Sequence, residues 1–180
     1  ARVALKILNE KTCQHPKRVA RFFELLEKAS GLEHPGLIHI HETVHELDAP
    51  SFYVMDALNG APLSSYRPQQ MDICLEIASQ LAKAVAKAHA SDILHGQLNM
   101  DNIYLLANAQ GKRRVSVLDF GAHSLHSDRN ELSVHDDMNS LGGGASLLLL
   151  RFATAMASKP LLVEILRQVQ RWEEMLVRER

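Results

Sequence analysis

The chain changes character at residues 59–62, Asn-Gly-Ala-Pro, where a segment patterned for β-strands gives way to one patterned for helices. Glycine and proline interrupt strands and helices alike, so this stretch marks a boundary. With 180 residues and 46% hydrophobic content, the chain is long enough to bury apolar side chains on both sides of it. The pattern predicts an α+β fold of two lobes: 1–58 as a small sheet lobe, 59–157 as a mainly helical lobe, and 158–180 as a terminal helix.

The first segment begins with a predicted strand. Apolar residues alternate along 2–8, the period of a strand with both faces covered, and this places Ala4 and Lys6 on one face. The other elements predicted before the boundary are a helix that opens at Pro16 and ends at Gly31, and strands at 36–43 and 51–55.

The second segment predicts a helix at 69–90, a hairpin of strands at 103–106 and 114–118, and a loop from Asp119 to about His135. An apolar run at 141–157 is too short and too interrupted to span a membrane and predicts a buried helix. A last helix opens at Pro160, and its apolar residues have the 3, 4 spacing of a coiled-coil seam. The interpretations are a helix packed on its own lobe or helix-mediated association through 160–180.

Charge and cysteine content exclude several classes of protein. The 20 basic and 21 acidic residues give a net charge of -1, which argues against a nucleic-acid or anionic-membrane partner. Only Cys13 and Cys74 are present, so we expect a reducing, cytoplasmic setting. The chain starts without Met or a signal segment and has the look of a piece of a longer polypeptide, whose other segments could tether it to a membrane.

The chain contains ten histidines, several of them close together at His39, His41 and His45 and at His123 and His126. No cysteine or carboxylate spacing completes a tetrahedral metal site around them. We interpret them as structural or surface residues.

Five short motifs occur in a fixed order and carry the strongest functional signal. Together they resemble the eukaryotic-type (Hanks-type) Ser/Thr protein kinase-like domain, each on the predicted strand, helix or loop that the family requires. The motifs are VALK at 3–6, HPGLI at 34–38, YVMDALNG at 53–60, ILHGQLNMDN at 93–102 and LDFG at 118–121.

The resemblance implies roles for individual residues. Lys6 would hold nucleotide phosphates, and Asn102 and Asp119 would bind Mg²⁺. The residues implied around the adenine ring are Ala4, Met55, Asp56 and Leu58. ATP and Mg²⁺ are thus the implied ligands.

The catalytic loop departs from the family pattern His-Arg-Asp-Leu-Lys-Pro-x-Asn. Gly96 replaces the Arg, Gln97 the Asp that acts as the base, Asn99 the Lys, and Met100 the Pro. An amide cannot take a proton near pH 7, and loss of a positioned base costs about 10²–10⁴-fold in rate. Asn99 removes a positive charge from the same step. No catalytic residue is therefore predicted.

Two further parts of the kinase pattern are missing. The family's helix Glu, which pairs with the strand Lys, falls on Leu25, while Glu24 lies one residue away and about 100° around the helix. Only seventeen residues separate Asp119 from Asp137, and no Ala-Pro-Glu motif occurs among them. We expect a kinase-like domain truncated at its N-terminus, where the Gly-rich loop would lie, and shortened at its C-terminus.

Three functions remain open. The first is a pseudokinase that acts as a regulatory or scaffolding module for a protein partner and can still bind ATP. The second is a divergent active Ser/Thr kinase or ATP hydrolase, since glutamine orients the attacking water in GTPases. The third is an interaction module that uses no nucleotide.

Overall fold

The computed structural model describes residues 2–45, 50–68, 70–107, 112–126 and 133–155, with side chains up to residue 145. Two sheets of three antiparallel strands each are combined with helices. In chain order the elements are β1 (Val3–Ile7), α1 (Glu10–Cys13), α2 (Pro16–Ser30), β2 (Ile40–Val44), β3 (Phe52–Asp56), β4 (Gly60–Pro62), a 3₁₀ turn (Leu63–Ser65), α3 (Met71–His89), β5 (Ile103–Ala107), β6 (Arg113–Val117), a second 3₁₀ turn (Ala122–Leu125) and α4 (Val134–Ala155).

The first sheet has the strand order β1-β3-β2, and α2 covers one of its faces. Pro at the first helical position and apolar residues at helical spacing form α2 as predicted. The side chains that join helix and sheet into one core are Val19, Phe22, Phe23, Leu26, Ile38, Ile40, Tyr53 and Leu118.

The prediction that both faces of the first strand are covered is wrong. Val3, Leu5 and Ile7 are 54%, 55% and 58% exposed, because β1 is an edge strand and α2 packs on the opposite face. The sequence pattern reported a strand correctly but could not distinguish two covered faces from one.

The second sheet, in the order β4-β5-β6, packs against α3. The hairpin is confirmed, but the stretch predicted only as a break contributes a third strand: β4 pairs with β5, Gly60 opposite Leu106. The helix at 69–90 is confirmed as α3. Its apolar stripe is buried as Ile73, Ile77, Leu81, Ala84, Val85 and Ala88.

The strand predicted at 36–43 begins later, at Ile40, and its first residues join the two sheets. Leu37 bridges Val117 in β6, and the Ile38 N–H donates to the Val117 carbonyl at 3.0 Å. This backbone connection brings the end of β6, and the residues that follow it, against the core of α2 and β3.

Helix α4 begins before the predicted position, at Val134 rather than 141. Ser133 and Asp136 cap its first turn reciprocally: Asp136 Oδ2 accepts from the Ser133 N–H at 2.8 Å, and the Ser133 hydroxyl accepts from the Asp136 N–H at 3.3 Å. Gly142 and Gly143 lie within the helix and are exposed, so the described part of 141–157 is not uniformly buried. Among the described helices, none is long and apolar enough to cross a membrane. The predicted helix at 160–180 lies outside the described residues.

We expect Gly60→Ala to destabilise the fold by about 1–3 kcal/mol, because an added Cβ would lie 2.4 Å from the Leu105 carbonyl oxygen, which is backbone and cannot move alone. Denaturant unfolding would measure this as a lower midpoint at an unchanged slope. Gly31→Ala is the matched control, since its nearest neighbour would be the Lys28 oxygen at 3.6 Å. Equal midpoints for the two variants would contradict the close approach of β4 and β5.

Candidate functional site

The structure brings Lys6 and Asp119 together. Lys6 lies on β1 and Asp119 follows β6, yet the Lys6 Nζ donates to Asp119 Oδ1 at 2.5 Å. Asp119 is 16% exposed and Lys6 is 46% exposed, so the pair lies at the edge of the core and is open to solvent on the lysine side. Two residues predicted for one site from distant motifs are therefore in direct contact.

Tyr53 is a third member of this cluster. Its hydroxyl donates to the same oxygen, Asp119 Oδ1, at 2.8 Å. Lys6 and Tyr53 are register partners of β1 and β3, which directs both side chains to the same face of the sheet. The Lys6 Nζ lies 5.9 Å from the centre of the Tyr53 ring.

Helix α2 supplies no carboxylate to this cluster. Leu25, at the position of the family's helix Glu, faces Gly121: a Cβ on Gly121 would lie 2.8 Å from the Leu25 Cβ. Glu24 is exposed and bonds Lys28 at 2.7 Å. Glu24 therefore does not replace the missing acid in the described structure.

Asn102 keeps a fixed position in the loop 95–102. Its Nδ2 donates to the Gln97 carbonyl at 3.1 Å, and its own carbonyl accepts from the Leu118 N–H at 2.9 Å. The second bond connects Asn102 to the residue before Asp119. The side-chain oxygen of Asn102 is a hard ligand of the kind that Mg²⁺ prefers.

Gln97 and Asn99 are both exposed, and Asn99 has a structural use. Its Oδ1 accepts from the N–H groups of Asp101 at 2.8 Å and Asn102 at 3.1 Å, and its Nδ2 donates to the Gln97 carbonyl at 3.1 Å. Such local bonds are typical of asparagine in turns. Asn99 thus shapes the loop and brings no positive charge to it.

Buried polar residues hold the loop 95–102 against the rest of the protein. His95 is completely buried, and its Nε2–H donates to the Leu118 carbonyl at 2.7 Å. Asp137, at the start of α4, accepts from the N–H groups of His95 and Gly96, both at 2.7 Å. The Phe120 ring lies 4.7 Å from the His95 ring. These contacts join the loop to the segment that carries Asp119.

The residues predicted around an adenine ring lie on or just after the paired strands. Ala4 is the register partner of Met55, and Met55 and Leu58 are half-buried against the core of the first sheet. The Asp56 N–H donates to the His39 carbonyl at 3.1 Å, so this N–H is not available to a ligand.

A cleft of about 730 Å³ lies beside residues 56–59, and Asp56 and Leu58 contribute to its lining. Lys6, Asn102 and Asp119 do not line it, so this cleft is separate from the Lys6–Asp119 cluster. The basic residues in its wall are Arg2, Lys83, Lys112, Arg113 and Arg114.

The surroundings shift the pKa values of Tyr53 in the cluster and of His95 and His123 beneath the loop. Burial raises the pKa of the Tyr53 hydroxyl, and the charge of Asp119 beside it adds to the effect. Burial lowers the pKa of His95 and of His123, against the opposing effect of their hydrogen bonds to the carbonyls of Leu118 and His95. Both imidazoles therefore favour the neutral form.

The clustered histidines do not form a metal site within the described ranges, where no three His, Cys, Asp or Glu side chains gather in a suitable arrangement. The His39 and His41 rings instead meet edge to face at 4.6 Å. His41 bonds Asp56 at 2.8 Å, and the His45 ring stacks on Phe23 at 5.1 Å.

Comparison with known proteins identifies the family. The family model described as protein tyrosine and serine/threonine kinase matches residues 1–140, and the chain belongs to this family. Serine/threonine-protein kinase Pkn1 of Myxococcus xanthus is 32% identical over 127 residues, which cover 69% of this chain and 18% of Pkn1. Serine/threonine-protein kinase PknI of Mycobacterium tuberculosis is 28% identical over 153 residues, 81% of this chain and 26% of PknI. The chain thus spans less than a third of each of these two relatives.

The crystal structure of the Mycobacterium tuberculosis PknI kinase domain matches the fold with a TM-score of 0.66 at 24% identity, over 84% of this chain and 63% of that domain. The predicted α+β, two-lobed kinase-like fold is confirmed. The lobe boundary at residue 58 and the roles of the individual site residues stay predictions.

No role in the site was predicted from the sequence for Tyr53, His95 or Phe120. The signal for Tyr53 was its position opposite Lys6, which becomes visible only when the register of β1 and β3 is known. His95 and Phe120 stood in the quoted motifs, but a motif alone does not show that their rings pack together.

We expect the stability of the protein to fall as the pH drops below about 6.5. His95 and His123 have lowered pKa values in the folded state. Below the ordinary histidine pKa, the unfolded chain therefore binds more protons than the folded chain. The free energy of unfolding then decreases by up to about 1.4 kcal/mol per pH unit for each group. Urea unfolding at pH 5.5, 6.5 and 7.5 measures this slope. His123→Gln should flatten it and exposed His15→Gln should not; an equal slope in all three proteins would contradict the assignment.

Proposed function

We propose that this chain is a pseudokinase domain that binds ATP but does not transfer its phosphate efficiently, and that it acts as a regulatory or scaffolding module. The observation that carries the proposal is the cluster of Lys6 and Asp119, retained next to a loop whose base position is held by the amide of Gln97. The residues that would bind ATP and Mg²⁺ are present in this site, whereas the residue that would accept a proton is replaced.

The residues present are suited to hold ATP with Mg²⁺. Lys6 is half-exposed and can turn its ammonium toward a phosphate, while Asp119 and Asn102 offer hard oxygen ligands from segments joined by the Leu118–Asn102 hydrogen bond. When bound, MgATP supplies a phosphate chain whose charge the metal partly neutralises. The bond from Asn102 Nδ2 to the Gln97 carbonyl leaves the Asn102 Oδ1 for the cation.

The adenine ring would lie against the face of the sheet that carries Ala4 and Met55, in line with the family resemblance. Their register pairing gives a small and an apolar side chain side by side, as a flat aromatic ligand requires. The Asp56 carbonyl and the Leu58 backbone would provide polar contacts at its edge.

Two residues of the loop, Gln97 and Asn99, cannot supply the groups that phosphate transfer requires. Gln97 is exposed and has no basic atom, so it cannot take the proton of an incoming hydroxyl. Asn99 uses its side chain on loop amides rather than on a phosphate. Leu25 in place of the helix acid leaves Lys6 with Asp119 as its carboxylate partner.

We expect ATP with Mg²⁺ to raise the thermal stability of the purified chain. At 100 times its dissociation constant, a ligand adds about 2.7 kcal/mol to the free energy of unfolding. Asp119→Asn should reduce this shift strongly, because it removes the charge that draws the cation. Asp101→Asn, an exposed carboxylate in the same loop, should preserve it. If millimolar ATP gave no shift in the wild type, the nucleotide-free interaction module would be the better assignment.

A slow kinase or ATP hydrolase is the second candidate, favoured by the retained loop geometry around Asn102. Under the pseudokinase proposal we expect phosphate release from ATP to be equal for wild type and Asp119→Asn, both at the level of buffer. A wild-type rate that exceeds the variant's by tenfold or more would favour the second candidate, since loss of a metal ligand removes stabilisation of the transferring phosphate. Steady-state release of radiolabelled phosphate distinguishes the two.

A further inference from the structure

The Tyr53 hydroxyl donates a hydrogen bond to the Asp119 carboxylate. We propose that Tyr53 is a positioning residue that clamps Asp119 Oδ1 in its ion pair with Lys6 and thereby competes with a divalent cation for that oxygen. The inference rests on the proposed function, because the cation concerned is the one that accompanies ATP. It assigns a specific polar role to a tyrosine in an otherwise apolar core.

Tyr53 is held rigidly. It is 2% exposed, and its ring packs 5.9 Å from that of Phe22 on α2. As a member of the central strand of the first sheet, it is fixed on both sides by β1 and β2. The hydroxyl therefore cannot swing to solvent, and its donor is satisfied by Asp119 at 2.8 Å.

In the described structure, no carboxylate of α2 contacts Lys6 or Tyr53 in this cluster. The two carboxylates of α2, Glu24 and Glu27, are engaged elsewhere: Glu24 with Lys28, and Glu27 with the Thr43 hydroxyl at 3.1 Å. Leu25 fills the space against Gly121 with an apolar side chain. Lys6 consequently pairs with Asp119, and Tyr53 adds a second donor to the same oxygen.

Two donors on one carboxylate oxygen occupy both of its lone pairs. Lys6 and Tyr53 together also draw negative charge away from Asp119. Lys6 can leave Oδ1 for a phosphate, but the buried Tyr53 cannot move away, so a cation at Oδ1 shares this oxygen with the Tyr53 hydroxyl. The clamp thus weakens the contribution of Mg²⁺ to nucleotide binding.

The test is the metal enhancement of ATP affinity, defined as the dissociation constant of ATP in EDTA divided by that in excess Mg²⁺, measured by titration calorimetry. Tyr53→Phe keeps the ring and removes only the hydroxyl, so we expect the enhancement to rise about three- to thirty-fold, part of the effect of a hydrogen bond to a charged group. An unchanged or smaller enhancement would overturn the proposal.

Two further variants make the result specific. Tyr66→Phe removes the hydroxyl of a tyrosine packed against the other core cluster and should leave the enhancement as in the wild type. Adding Asp119→Asn to Tyr53→Phe should abolish the gain, because the released oxygen no longer carries the charge. A gain that survived Asp119→Asn would show that Tyr53 acts through another group and would contradict the clamp.

A second readout separates failure of the clamp from failure of nucleotide binding. Without any ligand, Tyr53→Phe should speed hydrogen exchange of the amides at 120–122, since the Ala122 N–H bonds the Asp119 carbonyl at 3.2 Å, while Tyr66→Phe should not. If the wild type bound no ATP but this exchange difference appeared, the clamp would stand and the proposed function would fall. Equal exchange in both variants would overturn the clamp.

Discussion

The carboxylate of Asp137 is the interaction on which the candidate site depends. It is buried at the start of α4 and accepts from two backbone N–H groups of the loop, those of His95 and Gly96, and it also lies 3.0 Å from the His89 Nε2 on α3. Burying a carboxylate is costly unless donors satisfy it, and here every contact is also a link between elements. Helix α4, helix α3 and the loop therefore hold one another in place.

From this anchor a chain of hydrogen bonds reaches Asp119. With Asp137 fixing its backbone, His95 donates from Nε2 to the Leu118 carbonyl, and its Nδ1 accepts from the Gln97 N–H at 3.3 Å. One neutral tautomer satisfies both bonds, in agreement with the lowered pKa of His95. Asp119 itself has a φ of 62°, a left-handed conformation that is uncommon outside glycine, so the surrounding contacts determine where its carboxylate points.

The elements that sequence alone predicted well are those with local causes. Helix α3 follows from its apolar stripe and β1 from its alternation, and both were placed within about two residues of their observed ends. What could not be predicted depends on contacts between distant segments: the open outer face of β1 and the pairing of Gly60 with Leu106 across 46 positions. The Lys6–Tyr53–Asp119 cluster is of the same kind. The motifs indicated Lys6 and Asp119, but Tyr53 joins them only through strand register.

The loop at 95–102 differs from the kinase pattern at residues that take part in its own backbone geometry. Asn99 bonds the amides that place Asn102, and Gly96 adopts a φ of 74°, where a residue with a side chain would be strained. Gly96, which replaces the family's arginine, therefore suits this left-handed backbone conformation. Leu25 lies against Gly121, a glycine of the retained LDFG motif, whose φ is 77° and where an added Cβ would lie 2.8 Å from the Leu25 Cβ. At positions 96 and 99 the described loop depends on the residue that is present: Gly96→Arg would strain the backbone, and Asn99→Lys would remove the amide contacts that place Asn102.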